Sequence, residues 1–122
     1  MKKLESGEMY LESIFVLKNS IKKVHATDVA NFLQYSKPSV SRALGILRDS
    51  NLIVVGKDGA IDFTDEGLQY ANSIYEKHKV LTRFLCKMGV SESVAEKDAC
   101  RMEHVISEET FLKIKQIAEG DN

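Results

Sequence analysis

The spacing of the apolar residues changes twice along this chain, and this change restricts the possible folds more than any other feature. Up to residue 49 the apolar residues recur at the three- and four-residue intervals of amphipathic helices. Residues 52–64 hold two short apolar stretches around Lys57-Asp58-Gly59, which is typical of a β-hairpin turn. From residue 65 the helical intervals return. The pattern predicts a mostly α fold with one small β-hairpin.

Chain-breaking residues are scarce, so each one marks a predicted boundary. The chain has one proline and seven glycines. Pro38 suits the first turn of a helix, where its missing N–H costs nothing, and Thr64 suits an N-cap before acidic residues. Gly89 is expected to end that helix. We expect helices over about 6–18, 26–33, 38–49 and 65–88, and two more that begin at Ser91 and Ser107.

Apolar stripes in these helices predict the core. The third helix is expected to bury Val40, Ala43, Leu44 and Leu47. The long helix is expected to bury Leu68, Ala71, Ile74, Tyr75, His78, Leu81 and Leu85. The apolar residues Met102, Ile106, Phe111, Leu112 and Ile117 exceed what one small helical layer can cover. This excess predicts a homodimer that is joined through the helices after residue 88.

The composition excludes several classes of protein. Lys and Arg number 17 and Asp and Glu number 18, so the net charge of -1 excludes a uniformly basic coat but not a local basic surface. No apolar run is long enough to span a membrane. Lys2 and Lys3 precede no apolar stretch, so we expect no secretory signal and a cytoplasmic protein. Cys86 and Cys100 are then expected to be reduced thiols.

The order helix, helix, turn, helix, hairpin is that of a winged helix-turn-helix. Opposite its apolar stripe, the third helix presents basic and hydroxyl side chains, with no acid between Ser36 and Arg48. Serine hydroxyls and a helix N-terminus suit phosphate oxygens, and Arg42 is long enough to reach base edges. The candidate DNA contacts are Ser36, Lys37, Pro38, Ser39, Ser41, Arg42 and Arg48, with Lys57 at the hairpin tip. The alternative is a solvated helix face that happens to lack acids.

A second candidate site lies in the sequence Cys100-Arg101-Met102-Glu103-His104. Positions i, i+3 and i+4 of a helix share a face, so a thiolate, a carboxylate and an imidazole would converge as a transition-metal half-site. The further candidate ligands are His78, Glu96, Met9 and Glu12. Taken singly, each of these side chains has a structural alternative as a core or surface residue, and Glu96 is the weakest member. Their combination favours a metal site.

The chain resembles the diphtheria toxin repressor and manganese transport regulator family of metal-dependent bacterial repressors. The matching segments are Glu8-Met9-Tyr10-Leu11-Glu12, Thr27-Asp28-Val29-Ala30, Ser36-Lys37-Pro38-Ser39-Val40-Ser41, Leu52-Ile53, Thr64-Asp65-Glu66-Gly67, His78 and Cys100-Arg101-Met102-Glu103-His104. The resemblance implies an N-terminal winged helix-turn-helix domain, a helical metal-binding and dimerisation domain, and a metal bound between them. We expect the first domain in residues 1–64 and the second in residues 65–122.

The resemblance also implies a ligand set. Met9, Cys100, Glu103 and His104 match the main regulatory site of the iron-type members, His78 matches a ligand shared across the family, and Glu12 matches a carboxylate of the manganese-type members. Two positions depart from the iron-type pattern, because Thr82 replaces a carboxylate of the second site and Glu96 replaces a histidine. The chain also ends at Asn122, without the third, SH3-like domain of longer members. The resemblance thus implies an iron-like ligand set and leads us to expect a manganese-like architecture.

The expected function is therefore a metal-responsive transcriptional repressor of metal homeostasis genes. It would bind double-stranded operator DNA as a homodimer when a divalent transition metal, Fe2+ or Mn2+, is bound. No membrane partner, no small-molecule substrate and no enzymatic activity are expected. Two alternatives stay open: a metal-independent winged-helix regulator or dimerisation module, and a metal-dependent hydrolase, for which the sequence offers no general base beyond the ligands.

Overall fold

The computed structural model, which describes residues 2–120 and the side chains from residue 7 onward, has its helices and strands in the predicted order. The helices are α1 (Lys2–Lys18), α2 (Ala26–Leu33), α3 (Lys37–Asp49), α4 (Asp65–Lys87), α5 (Glu92–Met102) and α6 (Glu108–Glu119). The strands are β1 (Ile53–Val55) and β2 (Ile61–Phe63). The predicted fold class, mostly α with one β-hairpin, is confirmed.

The chain forms two compact units, residues 1–72 and 73–122. The boundary falls within α4, so the first part of this helix belongs to one unit and its second part to the other. The domain boundary after Thr64 stays a prediction. Within residues 2–120, no helix has the length and apolar character needed to cross a bilayer.

In the first unit, α1, α2 and α3 pack around an apolar core that also includes the hairpin. Val40, Leu44 and Leu47 are buried and Ala43 is half-buried, as the stripe in α3 predicts. β1 and β2 pair antiparallel, with Val55 opposite Ile61. Burial of one face of α3 leaves its other face exposed to solvent.

Side-chain caps explain where α3 and α4 begin. The hydroxyl of Ser36 accepts a hydrogen bond from the backbone N–H of Ser39, and Pro38 lies in the first turn of α3. The hydroxyl of Thr64 accepts from the backbone N–H of Gly67 and donates to the carbonyl of Asn51, which joins the start of α4 to the start of the hairpin.

In the second unit, the apolar cluster of Val80, Phe111 and Ala118 packs against Phe84 and Ile106. This cluster corrects two predictions. Val80 is buried although it lies outside the predicted stripe of α4, because α6 covers a second face of that helix. The sequence also predicts Phe111 among the apolar residues of the homodimer contact, yet Phe111 is buried within its own unit.

One further correction concerns the start of α4. Leu68 was expected in its buried stripe but is exposed. It lies in the first turn of α4, at the edge of the stripe that Ala71 and Ile74 define, and both of these residues are buried. Helical spacing alone predicts the burial of residues at the centre of an apolar stripe better than that of residues at its edge.

Candidate metal centre and nucleic-acid interface

The buried carboxylate of Glu103 lies between two histidines in the second unit. Only 1% of Glu103 is exposed. Its Oε1 is 2.9 Å from Nδ1 of His78, and its Oε2 is 3.3 Å from Nε2 of His104. A buried carboxylate is unfavourable by several kcal/mol unless a cation or strong hydrogen-bond donors compensate for its lost hydration. The two imidazoles beside Glu103 can donate such hydrogen bonds, and the same three side chains also offer ligand atoms to a cation.

Cys100 adds a sulfur atom to the same cluster. The ligand atoms of Cys100, Glu103 and His104 all lie within 4.8 Å of one another. Cys100 is half-buried and forms no disulfide. The cluster thus combines a thiol, a carboxylate and two imidazoles, the types of donor that bind borderline transition-metal ions.

The local backbone differs from the single helical face that the sequence predicts. α5 ends at Met102, so Glu103 is its C-cap and His104 lies in the turn that follows. The N–H of Glu103 still donates to the carbonyl of Ala99, whereas that of His104 donates to the carbonyl of Arg101, three residues back. The tightened final turn ends the helix, and the three side chains converge nevertheless.

The spacing of these atoms is compatible with a bound metal ion. Metal–ligand bonds of about 2.1 Å place adjacent ligands about 3.0 Å apart in an octahedral site and about 3.4 Å apart in a tetrahedral one. The two separations, 2.9 Å from Oε1 of Glu103 and 3.3 Å from its Oε2, are of this size, and the shorter one is also the length of a hydrogen bond. The donor set and the closeness of its atoms are therefore compatible with a divalent ion.

Two neighbouring side chains on α4 contact His78. Its ring stacks on Tyr75, with ring centroids 6.3 Å apart and the planes 17° from parallel. Thr82 donates a hydrogen bond of 2.8 Å to the carbonyl of His78. The Thr82 hydroxyl, at the position where iron-type relatives are expected to have a carboxylate, is therefore used by the backbone of α4. Glu96 lies on the exposed side of α5, and the structure does not bring it into the cluster.

The two candidate ligands of the first unit, Met9 and Glu12, lie half-buried on α1. The sulfur of Met9 accepts a hydrogen bond of 3.3 Å from the hydroxyl of Tyr35. The backbone carbonyl of Met9 accepts one of 2.8 Å from Ser13. The contact with Tyr35 had no signal in the sequence, because 26 residues separate the two positions.

The candidate DNA-binding residues lie on the outer surface of the first unit. The exposed ones are Ser36, Lys37, Pro38, Ser41, Arg42, Arg48 and Lys57, while Ser39 is half-buried. The hydroxyls of Ser36 and Ser39 are 2.9 Å apart and take part in the cap of α3. Arg48 lies 3.5 Å from Asp49, which reduces its positive potential. Arg42 is therefore the strongest candidate on α3 for a contact to a base.

One exposed apolar residue on α3 was not predicted from the sequence. Ile46 is 58% exposed, although isoleucine usually belongs to a core. The signal that could have found it is its position outside the stripe of Val40, Leu44 and Leu47. It lies one turn after Arg42, on the side of the helix that faces solvent.

Two family models match almost the whole chain. The model of the iron-dependent repressor N-terminal DNA-binding domain matches residues 3–61, and that of the iron-dependent repressor metal-binding and dimerisation domain matches residues 64–119. The chain belongs to the iron-dependent repressor family. The resemblance to diphtheria toxin repressor and manganese regulators is confirmed. The two models describe a DNA-binding domain and a metal-binding and dimerisation domain.

Curated relatives include the transcriptional regulator MntR and the diphtheria toxin repressor. The chain is 35% identical over 102 residues to the transcriptional regulator MntR of Escherichia coli O157:H7, which covers 84% of the chain and 66% of MntR. It is 29% identical over 115 residues to the diphtheria toxin repressor of Corynebacterium diphtheriae, which covers 93% of the chain and 51% of that repressor. This member of the family thus spans about half the length of the diphtheria toxin repressors that it matches.

Solved structures support the same fold. A manganese-dependent transcriptional repressor in complex with manganese aligns with a TM-score of 0.84 at 24% identity, over 92% of the chain and 52% of the repressor. The manganese regulator SloR aligns with a TM-score of 0.80 at 24% identity, over 91% of the chain and 52% of SloR. At this identity the likeness establishes the fold of the repressor-family chain.

Proposed function

We propose that this chain is a metal-responsive transcriptional repressor of metal homeostasis genes. It binds operator DNA as a homodimer in the cytoplasm when a divalent transition metal, Fe2+ or Mn2+, is bound. The observation that carries the proposal is the carboxylate of Glu103, which is buried between His78 and His104 beside the thiol of Cys100. Such a cluster brings together the donor types that bind a divalent transition metal.

The proposed ligands are His78, Cys100, Glu103 and His104, together with Met9 and Glu12 of α1. Met9 and Glu12 enter the set because they match ligand positions of the family, and the half-buried state of both side chains is compatible with that role. Glu96, which is exposed, is the weakest of the proposed ligands. A bound divalent ion would neutralise the negative charges of the carboxylates, which otherwise repel one another.

The first unit provides the DNA-binding surface. Arg42 is proposed to contact bases in the major groove, and Lys37 and Lys57 to contact phosphates, because all three are exposed on the face or hairpin that the core leaves outside. The remaining proposed contacts are Ser36, Pro38, Ser39, Ser41 and Arg48. Metal and DNA are proposed to strengthen each other's binding, with a coupling of roughly 1–3 kcal/mol.

The proposed homodimer contact lies in the second unit. After residue 88, exposed apolar side chains remain on both α5 and α6, namely Val94, Leu112 and Ile117, together with Val105 in the turn between them. A second copy of the chain would cover this surface, and the family model that matches this region is described as a dimerisation domain.

The test begins with the operator, which is found by selecting duplexes from a random DNA pool with the wild-type chain in the presence of Mn(II). Affinity for the selected duplex is then measured by fluorescence anisotropy against Fe(II) (without oxygen), Mn(II), Zn(II) and Ni(II), and with a chelator. We expect a gain of roughly five- to 150-fold with the activating ion. Metal-independent affinity would indicate a metal-independent regulator.

The variant Glu103→Gln tests whether this carboxylate binds the activating metal. The amide keeps the shape of the side chain but removes the charge that holds a cation, so the gain with metal should be lost. Glu109→Gln, at an exposed position of α6, removes the same charge outside the cluster and should retain the gain. Equal behaviour of the two variants would contradict the assignment of the site.

A further inference from the structure

Tyr35 occupies a place that connects a proposed metal ligand to the DNA-reading helix. It lies in the turn between α2 and α3, one residue before Ser36, which caps α3. Its backbone N–H donates to the carbonyl of Ala30 at the end of α2. Its side chain reaches back to α1, where the hydroxyl donates to the sulfur of Met9.

The contact between Tyr35 and Met9 is specific in its chemistry. Tyr35 is 43% exposed, yet its hydroxyl donates to a thioether, which is a weak acceptor. The ring is held by an edge contact with Tyr10, at a centroid distance of 6.0 Å and an angle of 64°. Packing against Tyr10 therefore directs the hydroxyl to the sulfur.

We infer that Tyr35 is a positioning residue for the sulfur of Met9 and that it transmits metal binding to the start of α3. The inference rests on the proposed function, since it takes Met9 as a ligand. Methionine has three rotatable side-chain bonds, and the hydrogen bond from Tyr35 limits the orientations of the thioether before a metal binds. The thioether sulfur has two lone pairs, so it can accept the hydrogen bond from Tyr35 with one and bind a metal with the other.

The consequence for DNA binding follows from linkage. If the hydroxyl favours the metal-binding orientation of Met9, then metal binding favours the position of Tyr35 to the same extent. The backbone of Tyr35 continues directly into the cap of α3, so the bound metal restrains the turn from which the recognition helix begins. α1 and α3 are thereby connected through one side chain within the first unit.

The test compares Tyr35→Phe, which removes only the hydroxyl, with Tyr10→Phe, which removes the hydroxyl from the other ring of the same pair. Affinities of the full chain for Zn(II) and Mn(II) are measured by competition with a chelator. We expect Tyr35→Phe to weaken Zn(II) binding by roughly three- to tenfold, as for one neutral hydrogen bond. Mn(II) binding should weaken less, because this ion depends little on thioether sulfur. A general loss of structure would weaken both ions equally.

A double-mutant cycle with Met9→Leu isolates the contact. In the Met9→Leu background, Tyr35→Phe should have no further effect on Zn(II) affinity. The methyl resonance of Met9, one of four methionines in the chain, should shift in Tyr35→Phe and not in Tyr10→Phe. Zn(II) should slow hydrogen exchange of the Ser39 amide, which Ser36 caps, and should do so less in Tyr35→Phe.

The outcomes separate the inference from the function on which it rests. A wild-type chain that binds none of these ions overturns both. The inference alone is overturned if the wild type binds Zn(II) but Tyr35→Phe binds it equally well. It is also overturned if Tyr35→Phe still weakens Zn(II) binding in the Met9→Leu background. Equal losses for Zn(II) and Mn(II) also overturn it, since Tyr35 then has only a structural role.

Discussion

The hydrogen bond between Tyr70 and Glu8 gives the most quantitative prediction for the first unit. The hydroxyl of Tyr70 on α4 donates to Oε2 of Glu8 on α1 at 2.7 Å. A hydrogen bond to a charged acceptor contributes about 1.5–3 kcal/mol, and Tyr70→Phe keeps the ring while removing the donor. We expect this variant to lower the free energy of unfolding by that amount, because α1 loses a direct connection to α4.

The pH dependence of the loss gives a second signature. Burial, followed by the hydrogen bond to Glu8, raises the pKa of Tyr70 above its ordinary value near 10. Below about pH 10 the hydroxyl is protonated in the folded and the unfolded chain, so its contribution is complete. Above that pH the unfolded chain ionises first, and the contribution of Tyr70 declines. The difference between wild type and Tyr70→Phe should therefore shrink as the pH rises past 10.

Urea unfolding followed by circular dichroism, at fixed chain concentration and at about pH 7 and pH 10.5, measures both effects. Gln69→Ala, at the exposed neighbouring position, is the control and should change stability by less than about 0.5 kcal/mol. A Tyr70→Phe variant as stable as the control at neutral pH would refute the reasoning. So would a difference that does not change with pH.

Three further substitutions test other parts of the molecule. Arg42→Ala should weaken binding to the selected operator by roughly 1–3 kcal/mol per half-site and binding to random DNA less; equal losses in anisotropy titrations would assign Arg42 to phosphate. Cys100→Glu should shift the metal response of operator binding toward Mn(II), and an unchanged metal ranking would assign Cys100 to packing. Gly67→Ala should destabilise the chain by more than about 3 kcal/mol in urea unfolding, because the added Cβ would collide with the backbone carbonyl of Leu52; near-wild-type stability would contradict this.

The parts of the fold that local rules determine could be predicted from the sequence. The N-cap Ser36 and Pro38 in the first turn mark the start of α3, and Thr64 marks the start of α4. These starts could be predicted because capping depends on residues only a few positions apart. The hairpin follows from the change of spacing, and Gly59, with φ of 84°, has the conformation that its turn requires.

Features that depend on the packing of distant segments could not be predicted. The burial of Val80 requires α6 to cover α4, and the contact of Tyr35 with Met9 requires the turn before α3 to reach α1. In the candidate metal centre, spacing indicated Cys100 and Glu103 correctly as neighbours. The same spacing did not show that α5 ends before Glu103. A tightened turn and a continued helix both bring these side chains together, so the residue spacing cannot distinguish them.

The reciprocity of metal and DNA binding tests the central claim most directly. Mn(II) affinity of the wild-type chain is measured by electron paramagnetic resonance with and without the selected operator, and operator affinity is measured with and without saturating Mn(II). The account predicts the same factor of increase in both experiments, roughly five- to 150-fold, because linkage requires it. A Mn(II) affinity that does not change when the operator is added would contradict a metal-responsive repressor.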